Sequence, residues 1–263
     1  MRSEIASIPI SSPEEYLPAI TRALDEVSAV EALSGFSRVI IKPNVVNGSP
    51  PQVTTDVRCV MAIAEYLQKR LDTEIVVAEG SGEGSTLDNF RANGYGQLTS
   101  ELGVELVDLD TLPVKRHSDP GAREFKEIYL LEYLENAAII SVPPAKDHTI
   151  TRVTLGLKNM IGCLPASHYS GYWSYKKSQI HAINTDQAIA DLILYIRPHL
   201  TIIDAIVGQA HGHLSGRAPD PPIGKIIAAT YVLAADREAA RLLGHDPDSI
   251  GHIVLAQQLY QSI

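Results

Sequence analysis

Lys146, His148, Lys158 and Asn159 fall in one stretch, residues 141–165, that is otherwise apolar, small and hydroxylic. Burying a lysine without a partner is expensive, and Asp147 is the one acid nearby in sequence. Such a composition suits the lining of an anion-binding or catalytic pocket. His148 could serve as a general base or a metal ligand. Lys158 sits between Leu155-Gly156-Leu157 and Met160-Ile161-Gly162. In that setting it could bind an anion, act as an acid or form a covalent attachment.

Other reactive groups lie where strands are expected to end. Lys42 and Asn44 follow Val39-Ile40-Ile41 and could hold an anionic group. Glu79 and Ser81 open a glycine-rich loop, 79–85, which has neither the lysine of a phosphate-binding loop nor dinucleotide-type glycine spacing. Asp204 closes Leu200-Thr201-Ile202-Ile203 and could pair with a lysine or exchange a proton. His168 and His181 bracket an aromatic and basic run, 169–177, that suits a lid or pocket loop over 165–182. With His148 they make a three-histidine set that could bind a metal ion, although no short HxH or HxxxH spacing links them. His211-Gly212-His213 has the HxH form and is read as pocket rim, and Asp236 as the N-terminal acid of its own helix.

The elements that must position these groups alternate. A helix is expected from Ser12 to about Leu33, with Ser12 as N-cap and Pro13 in the first turn. Strands are expected at 38–41, 74–78, 104–108, 137–142, 200–204 and 223–229, with an edge strand at 125–129. Helices are expected at 55–69, 185–196, 234–243 and 247–260, with a pair before 102 broken at Asn93-Gly94 and a short one at 130–136. The longest irregular stretches are 143–182 and 206–222. Alternation of this kind predicts an α/β fold: a mainly parallel sheet with helices on both faces, in a single globular domain spanning 1–263. In such sheets ligands bind at the carboxyl ends of the strands, so Lys42, Glu79, Lys146, His148 and Asp204 would converge if their strands are neighbours.

Composition narrows the function. The 263 residues carry a net charge of −9, from 22 basic and 31 acidic side chains, which argues against a nucleic-acid partner. No apolar run is long enough to span a membrane and no secretory leader is evident, so a cytoplasmic location is expected. Two cysteines, Cys59 and Cys163, cannot supply a four-cysteine cluster. No iron–sulfur cluster is expected, while a metal ion remains possible.

The motifs Ile41-Lys42-Pro43-Asn44, Glu79-Gly80-Ser81-Gly82, Lys146-Asp147-His148, Thr154-Leu155-Gly156-Leu157-Lys158-Asn159 and Asp204-Ala205-Ile206-Val207-Gly208 occur in one order along the chain. Through them it resembles the family known as domain of unknown function 362. Members of that family often carry an added ferredoxin-like segment, and this chain has none. The family is distantly similar to the N-terminal domain of nickel-pincer lactate racemases. That resemblance implies a histidine about ten residues before a cofactor-holding lysine, a spacing matched by His148 and Lys158. A second racemase histidine corresponds to Gly80-Ser81-Gly82, where this chain has none. The combined expectation is an enzyme acting on a small anionic substrate or cofactor by Lys/His-assisted proton transfer or redox chemistry. It could be isomerase-like or oxidoreductase-associated. Catalysis would fall to His148, Lys158, Asp204 and Glu79. Binding would fall to Lys42, Asn44, Ser81, Lys146, Asn159, His168 and His181. A homo-oligomer or an external redox partner is possible. The alternative is a non-catalytic anion- or cofactor-binding module or a subunit of a redox complex.

Overall fold

A computed structural model of the chain describes residues 4–212, 214 and 216–261. The first strand, β1 (Ile5–Pro9), leads into α1 (Tyr16–Glu26) and α2 (Ala29–Leu33). The single helix expected over 12–33 is thus divided. Pro13–Glu15 forms a tighter 3-10 turn, Ser12 makes no side-chain cap, and Ser28 breaks the run with φ +54°. Next come β2 (Arg38–Pro43), α3 (Val57–Gln68) and β3 (Glu74–Glu79), then α4 (Thr86–Ala92), α5 (Gly96–Leu102) and β4 (Glu105–Asp108). Asp56 caps α3 by accepting from the Arg58 N–H, which satisfies one orphan donor of the first turn.

The hairpin β5 (Val114–Ser118) and β6 (Glu127–Leu131) forms a separate two-stranded sheet. The edge strand expected at 125–129 therefore lies off the main sheet. Then follow β7 (Ala138–Val142), β8 (Pro144–His148), β9 (Arg152–Thr154), α6 (Gly156–Asn159), α7 (Ala166–Tyr169) and α8 (Thr185–Asp191). The chain closes with β10 (Leu200–Gln209), β11 (Lys225–Ala229), α9 (Val232–Leu242) and α10 (Gly251–Tyr260).

The main sheet runs β1-β11-β10-β7-β2-β3-β4. The pairs from β10 through β4 are parallel, and β1 and β11 add an antiparallel edge. The fold is therefore α/β with a mostly parallel sheet. Both faces are covered. Val39, Ile41, Val77 and Ile140 pack against α1 and α3 on one side. Ile40, Val76 and Ile139 face the opposite layer, with Met160, Leu164 and Ala188. Alternate side chains of each strand serve opposite layers, which is why these strands read as continuous apolar runs.

β2 sits at the centre. The chain proceeds from it to β3 and β4 on one side, and later to β7 and β10 on the other. This places a topological switch point between β2 and β7, where α/β sheets open a crevice at their carboxyl ends. β8 and β9 rise from that end. Lys146 and His148, expected in irregular chain, lie on β8, which pairs with the far half of β10 and with β9.

Candidate functional site: a two-lysine cleft at the switch point

The floor of the crevice is a closed polar network. Lys42, fully buried at the end of β2, donates from Nζ to Glu79 Oε1 at 2.8 Å, Pro43 O at 3.0 Å and Asn159 Oδ1 at 3.1 Å. All three ammonium donors are thereby used. Glu79 Oε1 also accepts from the Gly80 N–H at 2.8 Å, and Oε2 from the Val45 N–H at 3.0 Å. Asn159 ties the network to α6, donating to Lys42 O and Ser141 Oγ and accepting from Asn44 Nδ2 at 3.0 Å. The chain passes close over this pair at Gly162, where a Cβ would collide with Glu79 Oε1 and Lys42 Nζ.

Above the floor lies a cavity of about 320 Å³. Asn44, Lys146, His148, Lys158, Trp173 and His181 contribute to its wall. Lys146 donates to Asn44 Oδ1 at 2.8 Å and to Val53 O at 2.6 Å. Burial, reinforced by the positive charge of Lys158, pushes Lys146 down to about 7. Burial likewise lowers Lys158 to about 8. Among the described residues no hydrogen bond or ion pair reaches the Lys158 ammonium. The helix that carries it is held by Asp236, whose Oδ1 and Oδ2 accept from the Gly156 and Leu157 N–H groups at 2.7 and 2.9 Å. Asp236 is fully buried, and desolvation raises it to about 7. It therefore braces α6 and is not the N-terminal acid of its own helix, which begins four residues earlier at Val232.

His148 Nδ1 accepts from the Ile150 and Thr151 N–H groups at 3.2 and 3.3 Å. In the neutral ring this leaves the proton on Nε2 and makes His148 a hydrogen-bond donor there. That geometry differs from the general base expected of it. His181 has a buried Nδ1 without a partner, and burial with the nearby Lys158 charge lowers it to about 4.

The segment 165–182 folds over the cavity and is latched to the β3 loop. Lys177 reaches Gly80 O, Gly162 O at 3.1 Å and Asp110 Oδ1 at 3.2 Å. Lys176 meets the other oxygen of Asp110 at 3.2 Å. Gly80 has to be glycine here, because a Cβ would strike Lys177 and Gly162 O. Sequence offered no role for Asp110, since its partners are 66 and 67 residues away.

Several expected site residues lie elsewhere. Lys42 sits beneath the cavity wall with every donor occupied and offers nothing to a ligand. Glu79 reaches the cavity, but its carboxylate already accepts three donors. Ser81 is fully buried, donates to Val45 O at 2.6 Å and shapes its loop. Asp204 points to the opposite face of the sheet, accepting from the Tyr16 hydroxyl at 2.7 Å; desolvation raises it to about 6. The alternation of β10 dictates this, because Ile203 and Ala205 pack on the other side. His168 is exposed and stacks on Tyr129 at 4.1 Å, outside the cavity. The three-histidine metal set therefore does not assemble. Among the described residues no group of three or more His, Cys, Asp or Glu could hold a metal ion. His211 lies on a neighbouring hollow, its N–H donating to Asp147 Oδ2 at 2.6 Å; His213 lies outside the described residues.

Fold and site together define a doubly wound α/β protein with a basic cleft at its switch point. The chain belongs to the family described as Domain of unknown function (DUF362), which matches residues 39–241. It is 26% identical over 227 residues to the thylakoid-associated protein sll1697 of Synechocystis sp., covering 84% of this chain and 68% of that protein. The fold is similar to that of the lactate racemase apoprotein from Thermoanaerobacterium thermosaccharolyticum, with a TM-score of 0.55 and 12% identity. The match covers 95% of this chain and 58% of the racemase chain. Among the described residues no helix is long and apolar enough to cross a membrane.

The racemase resemblance implies a lysine-held nickel cofactor. Lys158, without a partner among the described residues and lining the cavity, suits an anchoring lysine. The metal donors do not fit: Gly80-Ser81-Gly82 lacks a histidine, and His148 Nδ1 is engaged by backbone N–H groups.

Proposed function

We propose that this protein is an enzyme that binds a small organic acid in the cleft and moves a proton on it. The observation that carries this reading is Lys158, an ammonium with no partner among the described residues, on the wall of a cavity that contains a second desolvated lysine. An acid anion would supply the missing counter-charge, and a charge-assisted hydrogen bond in such surroundings is stronger than one in water.

Lys146 is the best-placed base. As a neutral amine its two N–H groups would go to Asn44 and Val53, leaving the lone pair for the cavity. A lowered lysine near the working pH suits general base catalysis. Balance is simple: Lys146 takes a proton from the carbon beside the carboxylate and returns one to it. Asp204 and Glu79 take no part. The structural likeness to a lactate racemase makes 2-hydroxy acids the first compounds to try.

Calorimetry with lactate and its neutral amide tests the binding, and proton NMR in heavy water tests the chemistry. The acid, and not the amide, should bind, and its C2 proton should exchange for deuterium. Lys158→Met should abolish binding, and Lys146→Met should abolish exchange. If a panel of small acids binds without C2 exchange, the protein is a binding module. If none binds, or if Lys158→Met binds as the parent does, the cleft reading is wrong.

A further inference from the structure

The cavity is larger than a three-carbon acid needs. Its volume of about 320 Å³ equals about ten water volumes, and lactate held at Lys158 would displace less than about half of them. The rest of the wall is largely apolar. Ile161 and Ile180 line its inner part. Ile150, Trp173 and Tyr175, which are 48%, 45% and 42% exposed, mark its mouth. His181 joins the two ends: it feels the Lys158 charge and stacks on Trp173 with ring centroids 5.0 Å apart. The Trp173 turn is pinned, because Ser178 Oγ accepts from the Tyr172 and Trp173 N–H groups at 3.1 and 2.9 Å. Two charged groups on the lining are already satisfied, Lys176 by Asp110 and Glu83 by Asn47. Single exposed apolar side chains are ordinary; here three gather on one cavity that also holds two desolvated lysines.

We infer that the acid of this cleft carries an apolar chain of several carbons beyond C2, its carboxylate on Lys158 and its chain running past Trp173 to the mouth. This rests on the acid-binding reading above and names the class of acid. Such a chain leaves the C2 proton in place for Lys146 to move. It also covers apolar surface that lactate would leave in water, and each methylene laid on that wall adds to the affinity. A second carboxylate in place of the chain would find no free cation there, because Lys176 and Lys177 are committed to Asp110.

Lactate and 2-hydroxyhexanoate share the reacting end and differ in chain length. Calorimetric titration of the intact protein should show 2-hydroxyhexanoate binding more tightly, on the order of ten-fold. Full burial of the added methylenes would give about fifty-fold, and a half-exposed mouth keeps part of that. Trp173 is the only tryptophan of the chain, so its emission should shift to the blue with the long acid and stay put with lactate. Trp173→Ser should reduce the ratio of the two affinities to about three-fold, and Ile150→Ser should lower it as well. Equal affinities in the parent protein, with lactate binding still lost in Lys158→Met, would overturn the chain and leave the acid-binding reading standing. A ratio unchanged in both variants, or an unmoved Trp173 emission at saturating 2-hydroxyhexanoate, would do the same. Failure of both acids to bind would overturn both readings. So would binding of 2-hydroxyhexanoate that persists undiminished in Lys158→Met.

Discussion

Acid binding should weaken with rising pH in a way that Lys158 alone sets. Its ammonium, held near 8 by burial, would be about nine-tenths protonated at pH 7 and about one-tenth at pH 9. A bound carboxylate stabilises the charged form, so the complex remains protonated across that window. The affinity should therefore be nearly level below pH 7 and fall about ten-fold by pH 9, or about 1.4 kcal/mol. Water reaches the cavity face of Lys158 and screens the charge, so ten-fold is the upper figure. Titrating lactate by calorimetry in two buffers of different ionisation enthalpy gives both the affinity and the protons taken up, about half a proton per site at pH 8. His181, lowered to about 4, stays neutral throughout. Lys158→Arg keeps its charge at every pH and should bind with a flat profile. A flat profile in the parent protein, or proton release on binding, would refute the reasoning. A fall much steeper than ten-fold would mean that Lys146 also binds as an ammonium.

Other consequences of the geometry can be checked independently. Asp236→Ala leaves two buried N–H groups at the start of α6 unpaired and should cost about 1–3 kcal/mol in denaturant unfolding, with loss of acid binding. Gly162→Ala forces a Cβ into the buried Lys42–Glu79 pair and should destabilise by about 3–5 kcal/mol if the pair is broken; an unchanged unfolding midpoint would refute the packing argument. Asp204, raised to about 6, holds its proton in the folded state where the unfolded carboxyl has lost it. Its favourable contribution is present below about 4 and lost as the pH rises through about 6. Asp204→Asn should flatten that decline in denaturant curves and leave acid binding intact, because the residue faces α1.

The lysine-rich stretch was legible because Lys158 sits among apolar neighbours on both sides. The parallel sheet was legible from its alternating elements. What sequence could not give was which face each strand-end residue would choose. Asp204 and Lys42 both follow apolar runs, yet one turns toward Tyr16 and the other toward Glu79. In strands buried on both faces, no alternation of polarity marks the difference. The Lys42–Glu79 pair spans 37 residues and the Lys177–Asp110 latch 67, so neither is visible in local spacing. Pro143 and Pro144 hid β8, since proline is uncommon inside strands. The bracing of α6 by Asp236 crosses 80 residues and follows only once α9 is packed beside it.

The most direct test of the central claim is a crystal structure of the protein grown with lactate. The account predicts a carboxylate oxygen about 2.7–2.9 Å from Lys158 Nζ, with C2 facing Lys146. A lactate bound elsewhere, with no contact to Lys158, would contradict it.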